Sequence, residues 1–173
     1  MTATFTSSPT GPTDMQVRLV QSASTPPTGN FITIDVVLNS TSGINGLDVF
    51  AFAFDILIGN SAVASFVSSA PGNVLTPAAG QTVISDAAPS GANRVAVGVT
   101  LAPPPGDSAI PAGDVVVISL TFQLLQVGDS PLTITGSPNN MQNPTPNPTA
   151  FDSVLMTIPA ITFDAAAATL SGS

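Results

Sequence analysis

The side chains of this chain that can act as acids, bases, nucleophiles or metal ligands are ten aspartates and many Ser and Thr hydroxyls. His, Cys, Lys, Glu, Tyr and Trp are absent from its 173 residues, and its two bases are Arg18 and Arg94. A hydroxyl becomes a nucleophile only beside a group that takes its proton, ordinarily His or Lys, and neither exists here. General acid–base work falls to aspartate alone, which leaves the carboxylate pair of a glycosidase as the one enzyme design. Such a site also needs aromatic and hydrogen-bonding groups to hold sugar, and those are the missing types. The chain therefore reads as non-catalytic. Transition metals need His or Cys. Calcium takes oxygen ligands, which Asp86, Asp107, Asp114, Asp129 and Asp152 could supply. No Asp-x-Asp-x-Asp run occurs, and no two aspartates lie within three residues of each other. Asp107 in PPGDS and Asp129 in VGDSP read as turn residues, and no metal or cofactor is expected.

Net charge is −8. Two arginines far apart in sequence make no basic patch, so phosphates cannot be neutralised and nucleic acid is not an expected partner. No apolar run approaches the roughly 20 residues that cross a bilayer, so no membrane partner is expected either. Only 7% of residues are charged, and Ser, Thr, Asn and Gln must hydrate the surface. That pattern is commoner in secreted, surface or virion proteins than in cytosolic enzymes. The opening MTATFTSSPTGPTD lacks the charged and apolar regions of a signal peptide. It suits a mature fragment with an added Met, or a product that needs no signal, such as a phage or virus structural protein. Absent Cys fits any compartment.

The elements that position these groups are strands. With Lys and Glu missing, 17 Pro and 14 Gly, and many Thr, Val and Ser, the composition points to an all-β chain with Pro/Gly turns. Residues 1–13 read as an extended N-terminal arm, either disordered or packed on a neighbouring subunit through Phe5. Residues 14–173 read as a single domain. MQVRLVQ (15–21) alternates Met15, Val17 and Leu19 against Gln16 and Arg18. FITIDVVLN (31–39) sets Ile32, Ile34, Val36 and Leu38 against Thr33, Asp35, Val37 and Asn39. GINGLDVFAFAFD (43–55) places Phe50, Phe52 and Phe54 on one buried face, with Asp48 at its start and Asp55 beginning the turn into ILIGN. A turn is expected at Gly59-Asn60. Residues 70–93 read as mostly loop, with a short strand near Thr82–Ser85. RVAVGVTLA (94–102) aligns Val95, Val97, Val99 and Leu101, and DVVVISLTFQLLQ (114–126) aligns Val116, Ile118, Leu120, Phe122 and Leu124. Residues 103–113 read as a Pro-stiffened connection, and 137–152 as a long surface loop. ITFDAAAATLS reads as strand rather than helix, because Ile161 and Phe163 alternate with Thr162 and Asp164. About nine short strands separated by turns indicate an antiparallel β-sandwich.

The order of these pieces resembles the cohesin domain, the β-sandwich module by which cellulosomal scaffold proteins hold dockerins. The resemblance runs through MQVRLVQSAS, GNFITIDVVLNSTSGINGLDVFAFAFD, APGNVL, RVAVGVTLA, AGDVVVISLTFQLLQVGDSPLTIT and ITFDAAAATLS, most of residues 15–172. It implies a jelly-roll sandwich with no catalytic role and a dockerin-like protein partner. It also implies that Asp48, which begins the strand after the Gly-Ile loop, takes part in binding. The family usually has Asn where this chain has Gly46, and commonly Tyr-Asp where this chain has Phe54-Asp55. The site expected from sequence is therefore Asp48 and Gly46, with Phe5 on the arm. Two other readings stay open beside this extracellular or surface interaction module. One is a structural subunit of a repeated assembly, such as a virion decoration protein or extracellular filament, forming homo-oligomers through residues 1–13. The other is a carbohydrate-binding module, for which only Phe is available as a stacking platform.

Overall fold

The computed structural model describes residues 1–7, 14–41, 44–91, 93–102, 108–136, 147–152, 154 and 156–173. Strand is the only regular element among them. In chain order the strands are β1 (Ala3–Thr6), β2 (Gln16–Gln21), β3 (Phe31–Ser40), β4 (Ile44–Val49), β5 (Ala51–Ile58), β6 (Ala64–Pro71), β7 (Thr82–Pro89), β8 (Arg94–Ala102), β9 (Ser108–Ile110), β10 (Gly113–Leu124), β11 (Gly128–Thr135), β12 (Thr149–Phe151), β13 (Thr162–Phe163) and β14 (Ala168–Gly172). A seven-stranded sheet has the order β1-β14-β11-β5-β8-β7, with β12 beside β5. A five-stranded sheet has the order β13-β2-β3-β10-β6, and β4 pairs with β9 as a ribbon. Every pairing is antiparallel except that of β13 with β2. The chain passes repeatedly between the two sheets, β2 and β3 in one, β5 in the other, β6 back in the first, as a jelly roll does.

Alternation builds the core between the sheets. Phe52, Phe54, Ile56 and Ile58 of β5 meet Ile32, Ile34, Val36 and Leu38 of β3 and Val95, Val97, Val99 and Leu101 of β8, all buried. Phe54 packs on Phe163 of the opposite sheet at 5.8 Å between ring centroids, and Phe66 on Phe122 at 6.0 Å. Each ring pair adds about 0.5–1.5 kcal/mol to the area it buries.

Several expectations are corrected. The fourteen strands exceed the predicted nine because β1, β9, β12 and β13 are too short for a period of two to register. The expected single strand divides at Phe50 into β4, which pairs with β9, and β5. Phe50 itself is buried with Phe52 and Phe54 as expected, its N–H donating to Phe151 O of β12 and its O accepting from Leu101 N of β8, the two neighbours of β5. Residues 82–89 form a full strand because β8 pairs with them from Thr82↔Ala102 to Pro89↔Val95, despite the poor strand propensity of Asp-Ala-Ala-Pro. In β10 the register with β3 shifts between Val116 and Ile118. The bulge puts Val115 and Val117 in the core with Ile118 and turns Val116 to the outer face, where alternation alone had placed it inside. Gly72 fits against that bulge. A Cβ there would lie 2.0 Å from Val116 O, while the N–H groups of Asn73 and Val74 both donate to the same oxygen.

Part of the expected arm is a strand of the domain itself. β1 pairs with β14 from Ala3↔Gly172 to Thr6↔Thr169, and Phe5 packs on the domain's own core. A ring on the inner side of a sheet is drawn to the nearest apolar surface, and that surface is intramolecular. Thr2 N donates to Ser173 O at 2.8 Å and Ser173 N to Thr2 O at 3.2 Å, so the two chain ends lie side by side. Residues 8–13 of the arm, 103–107 of the Pro-stiffened connection and 137–146 of the long loop fall outside the described residues. Ser108–Ile110 and Thr149–Phe151, expected in connections, are strands β9 and β12.

Candidate functional site

Each sheet of a sandwich has one face in the core and one outside, and the described residues, being strands and their connections, can touch a partner only through outer faces, edges and loops. On the seven-stranded sheet, the β5 positions that alternate with Phe52 and Phe54 are Ala51 and Ala53. Register sets Ala51 opposite Thr100, and Ala53 opposite Gly98. In turn Thr100 lies opposite Ile84, and Gly98 opposite Asp86. The centre of this face is thus a strip of small side chains, with Ile84 standing 53% exposed at its margin. A Cβ built on Gly98 meets nothing within 4 Å, which marks open space over the middle of the strip. Small, uncharged side chains let another backbone approach closely and leave little polar surface to desolvate, as interface centres require.

The same face is closed at its other end by an ion pair. Asp55 is on the outer parity of β5 yet is 0% exposed. Arg94 Nη1 donates to Asp55 Oδ2 at 3.0 Å and to Gly136 O at 3.1 Å. With Leu57 opposite Arg94 and Asp55 opposite Ala96, the two are diagonal neighbours on one face. Asp55 does not begin a turn, as its place before ILIGN suggested; it is a mid-strand carboxylate that burial makes dependent on Arg94.

The outer face of the five-stranded sheet is built differently. Opposite residues of β3 and β10 are stitched to each other: Thr33 to Thr121 at 3.0 Å, Ser119 Oγ donating to Asp35 Oδ1 at 2.6 Å, and Asn39 Nδ2 donating to Asp114 Oδ1 at 2.6 Å. Arg18 of β2 donates to Asp114 Oδ2 at 2.9 Å. Asp35, Ser119, Ser24 and Asn73 line a shallow pocket there, beside Gly72 and Val116. Near the end of β3, Asp14 Oδ1 accepts the Thr41 N–H at 2.7 Å, and that bond to backbone holds its carboxyl below the ordinary aspartate range.

The residues singled out from sequence are dispersed. Gly46 and Asp48 are carried by β4, which pairs with β9 from Ile44↔Ile110 to Val49↔Ser108, just before the switch at Phe50 into β5. Phe5 lies across the seven-stranded sheet on β1, against the core. Of the aspartates weighed as calcium ligands, Asp114 is engaged by Arg18 and Asn39, and Asp152 Oδ1 accepts the N–H groups of Val154 and Met156. Asp107 lies outside the described residues, and among those described no three acidic side chains gather. The small-residue strip and the Asp55–Arg94 pair are not among the residues that the sequence singles out. The strip was visible as the Ala and Gly interleaved with Phe52, Phe54, Val97 and Val99; the pair needed the register.

No protein-family model matches the chain, and no curated protein does. Solved structures do. The second type II cohesin module of the cellulosomal adaptor ScaA scaffoldin of Acetivibrio cellulolyticus superposes with a TM-score of 0.57 at 14% identity, over 85% of this chain and 91% of that one. The sixth cohesin of scaffoldin B from the same organism, solved in complex with a Cel5 dockerin mutant, gives 0.55 at 16% identity over 94% of each chain. The non-cellulosomal cohesin of the hyperthermophilic archaeon Archaeoglobus fulgidus gives 0.50 at 16% identity, over 78% of this chain and 76% of that one. Likeness at such identities establishes architecture: this chain folds as a cohesin-like β-sandwich.

Proposed function

We propose that the chain is a non-catalytic docking module, exposed outside the cell, which binds a dockerin-like protein through the open outer face of β5, β8 and β7. The observation that carries this reading is the strip of Ala51, Ala53, Gly98 and Thr100, small uncharged side chains bordered on β7 by the exposed Ile84 and by Asp86. The cohesin-like fold supports it, since one solved relative is itself held in complex with a dockerin. Both arginines are engaged in ion pairs within the chain, so the charge it offers a partner is negative. It steers a basic-rimmed surface more than it adds affinity. In this reading Asp48 and Gly46, at the head of the strand leading into β5, contact the rim of the partner.

Binding of the purified chain to a panel of dockerin modules tests the proposal. Gly98→Gln places a polar side chain in the open middle of the strip. It should weaken binding at least tenfold, about 1.4 kcal/mol, with the melting temperature unchanged. Asp48→Ala should weaken binding by a smaller factor, also without loss of fold. A panel with no binder, or a Gly98→Gln variant that binds as tightly as the native chain, would remove the docking face.

A further inference from the structure

Asp35 is a buried carboxylate for which this chain supplies no cation. It lies mid-strand in β3 on the outer face of the five-stranded sheet, opposite Ser119, and is 7% exposed. Its Oδ1 accepts the Ser119 hydroxyl at 2.6 Å, and among the described residues nothing donates to Oδ2. Two other carboxylate oxygens without partners, Asp55 Oδ1 and Asp164 Oδ2, are sealed from solvent. Asp35 instead forms part of the wall of a pocket of about 250 Å³ that opens to the surface. A carboxylate taken this far out of water is stabilised by an opposite charge beside it. The chain has no Lys and no His. Arg94 is held by Asp55 in the other sheet. Arg18 stands opposite Val37, and Asp35 opposite Val20, so the two are diagonal neighbours. The guanidinium nonetheless turns the other way, to Asp114 opposite Asn39. An opposite charge for Asp35 therefore comes from outside the chain.

We infer that this pocket takes the ammonium group of a lysine side chain on a partner protein. The lining selects that group. Calcium gathers about six to eight oxygens, whereas this pocket has one carboxylate, and among the described residues no three acidic side chains gather. Asp35 Oδ1 is already committed to Ser119, so the planar fork of an arginine cannot grip both oxygens. An ammonium is a compact charge with N–H donors on several sides. Asp35 Oδ2, Ser24 Oγ and the lone pairs of Ser119 Oγ are acceptors on the same lining. Pro71 and Val116 complete it and suit the methylene stem that carries the charge. A second copy of this chain has no lysine to offer, so the partner is a different protein. The pocket is on the opposite sheet from the docking strip and does not depend on it.

NMR titration of the native full chain with capped tripeptides tests this, using Gly-Lys-Gly, its arginine counterpart and its Nε-acetyl-lysine counterpart. The lysine peptide should shift the backbone amides of Ser24, Asp35, Asn73 and Ser119 saturably. Either counterpart should bind about tenfold more weakly, because neither sets a compact charge at Asp35 Oδ2. Asp35→Asn keeps an acceptor for Ser119 and removes the charge. It should abolish the response to the lysine peptide, with the melting temperature of the free chain equal to the native one or above it. The comparison of peptides needs no variant, so it decides the matter even if Asp35→Asn does not fold. Amides that stay unmoved by the lysine peptide would overturn the inference. So would an arginine or acetyl-lysine peptide that binds as tightly, an Asp35→Asn chain that still responds, or glucose or calcium chloride moving the same amides at lower concentration than the lysine peptide.

Discussion

The two outer faces of this sandwich spend their side chains in opposite ways. On the five-stranded sheet, Thr33, Asp35, Asn39 and Arg18 each hydrogen-bond to a group on β10. On the seven-stranded sheet, Ala51, Ala53 and Gly98 bring no polar side-chain atoms at all. A chain with 7% charged residues has few groups with which to mark a surface, and here they are concentrated where strands are tied to strands. The face left plain is the one free to accept another molecule. Asp86, exposed opposite Gly98, is a charge at the margin of that face, and the Asp55–Arg94 pair shows that the rule is not one of sheet identity. It lies on the plain face but serves the fold.

That comparison can be tested by separating stability from binding. The largest effect is expected from Arg94→Ala. It strands a fully buried carboxylate and should cost about 3–5 kcal/mol, read from denaturant unfolding; a loss below 1 kcal/mol would mean that Asp55 is served by other groups. Ser119→Ala is next. It takes the hydroxyl donor from the buried Asp35 and should cost about 1–3 kcal/mol with dockerin-panel binding unchanged, and a binding loss without a stability loss would assign function to the wrong face. Arg18→Ala removes a pair whose Asp114 side chain is 48% exposed, and should cost only about 0–1 kcal/mol, falling further in high salt. At the far end stands Gly98→Gln, with no change in melting temperature and the whole effect in binding.

Much of this architecture is written in the alternation of apolar residues. Ile32, Ile34, Val36 and Leu38 could face only one way, and Phe52 and Phe54 likewise, because a strand that offers every second residue to a core fixes its own orientation. The alanines of ITFDAAAATLS did not make a helix, because Phe163 and Leu170 each had a core to enter. What alternation cannot report is an inserted residue. The bulge in β10 changed the side of Val116 with no mark in the local sequence, and its explanation lies more than forty residues away, in Gly72 and Asn73. The break between β4 and β5 was hidden for a similar reason: Phe50 shares the buried face of Phe52 and Phe54, and only the pairing of β4 with β9 separates the residues before it. The Asp55–Arg94 pair required knowing that Leu57 stands opposite Arg94. The plain face, by contrast, was in view throughout as small residues between large ones, a pattern that reads as packing convenience until the register joins three strands of it into a surface.

The pairing of the two chain ends has a mechanical consequence. β1 and β14 are antiparallel, and Met1 and Ser173 leave the sheet at the same end of that pair. Tension applied between the ends would load the hydrogen bonds of Thr2 and Ser173 first, then those of each following rung in turn, as a zip opens. No set of bonds would share the load in shear. Under force the domain should therefore yield at low tension, shedding β1 before β14 and the Phe-lined core are disturbed.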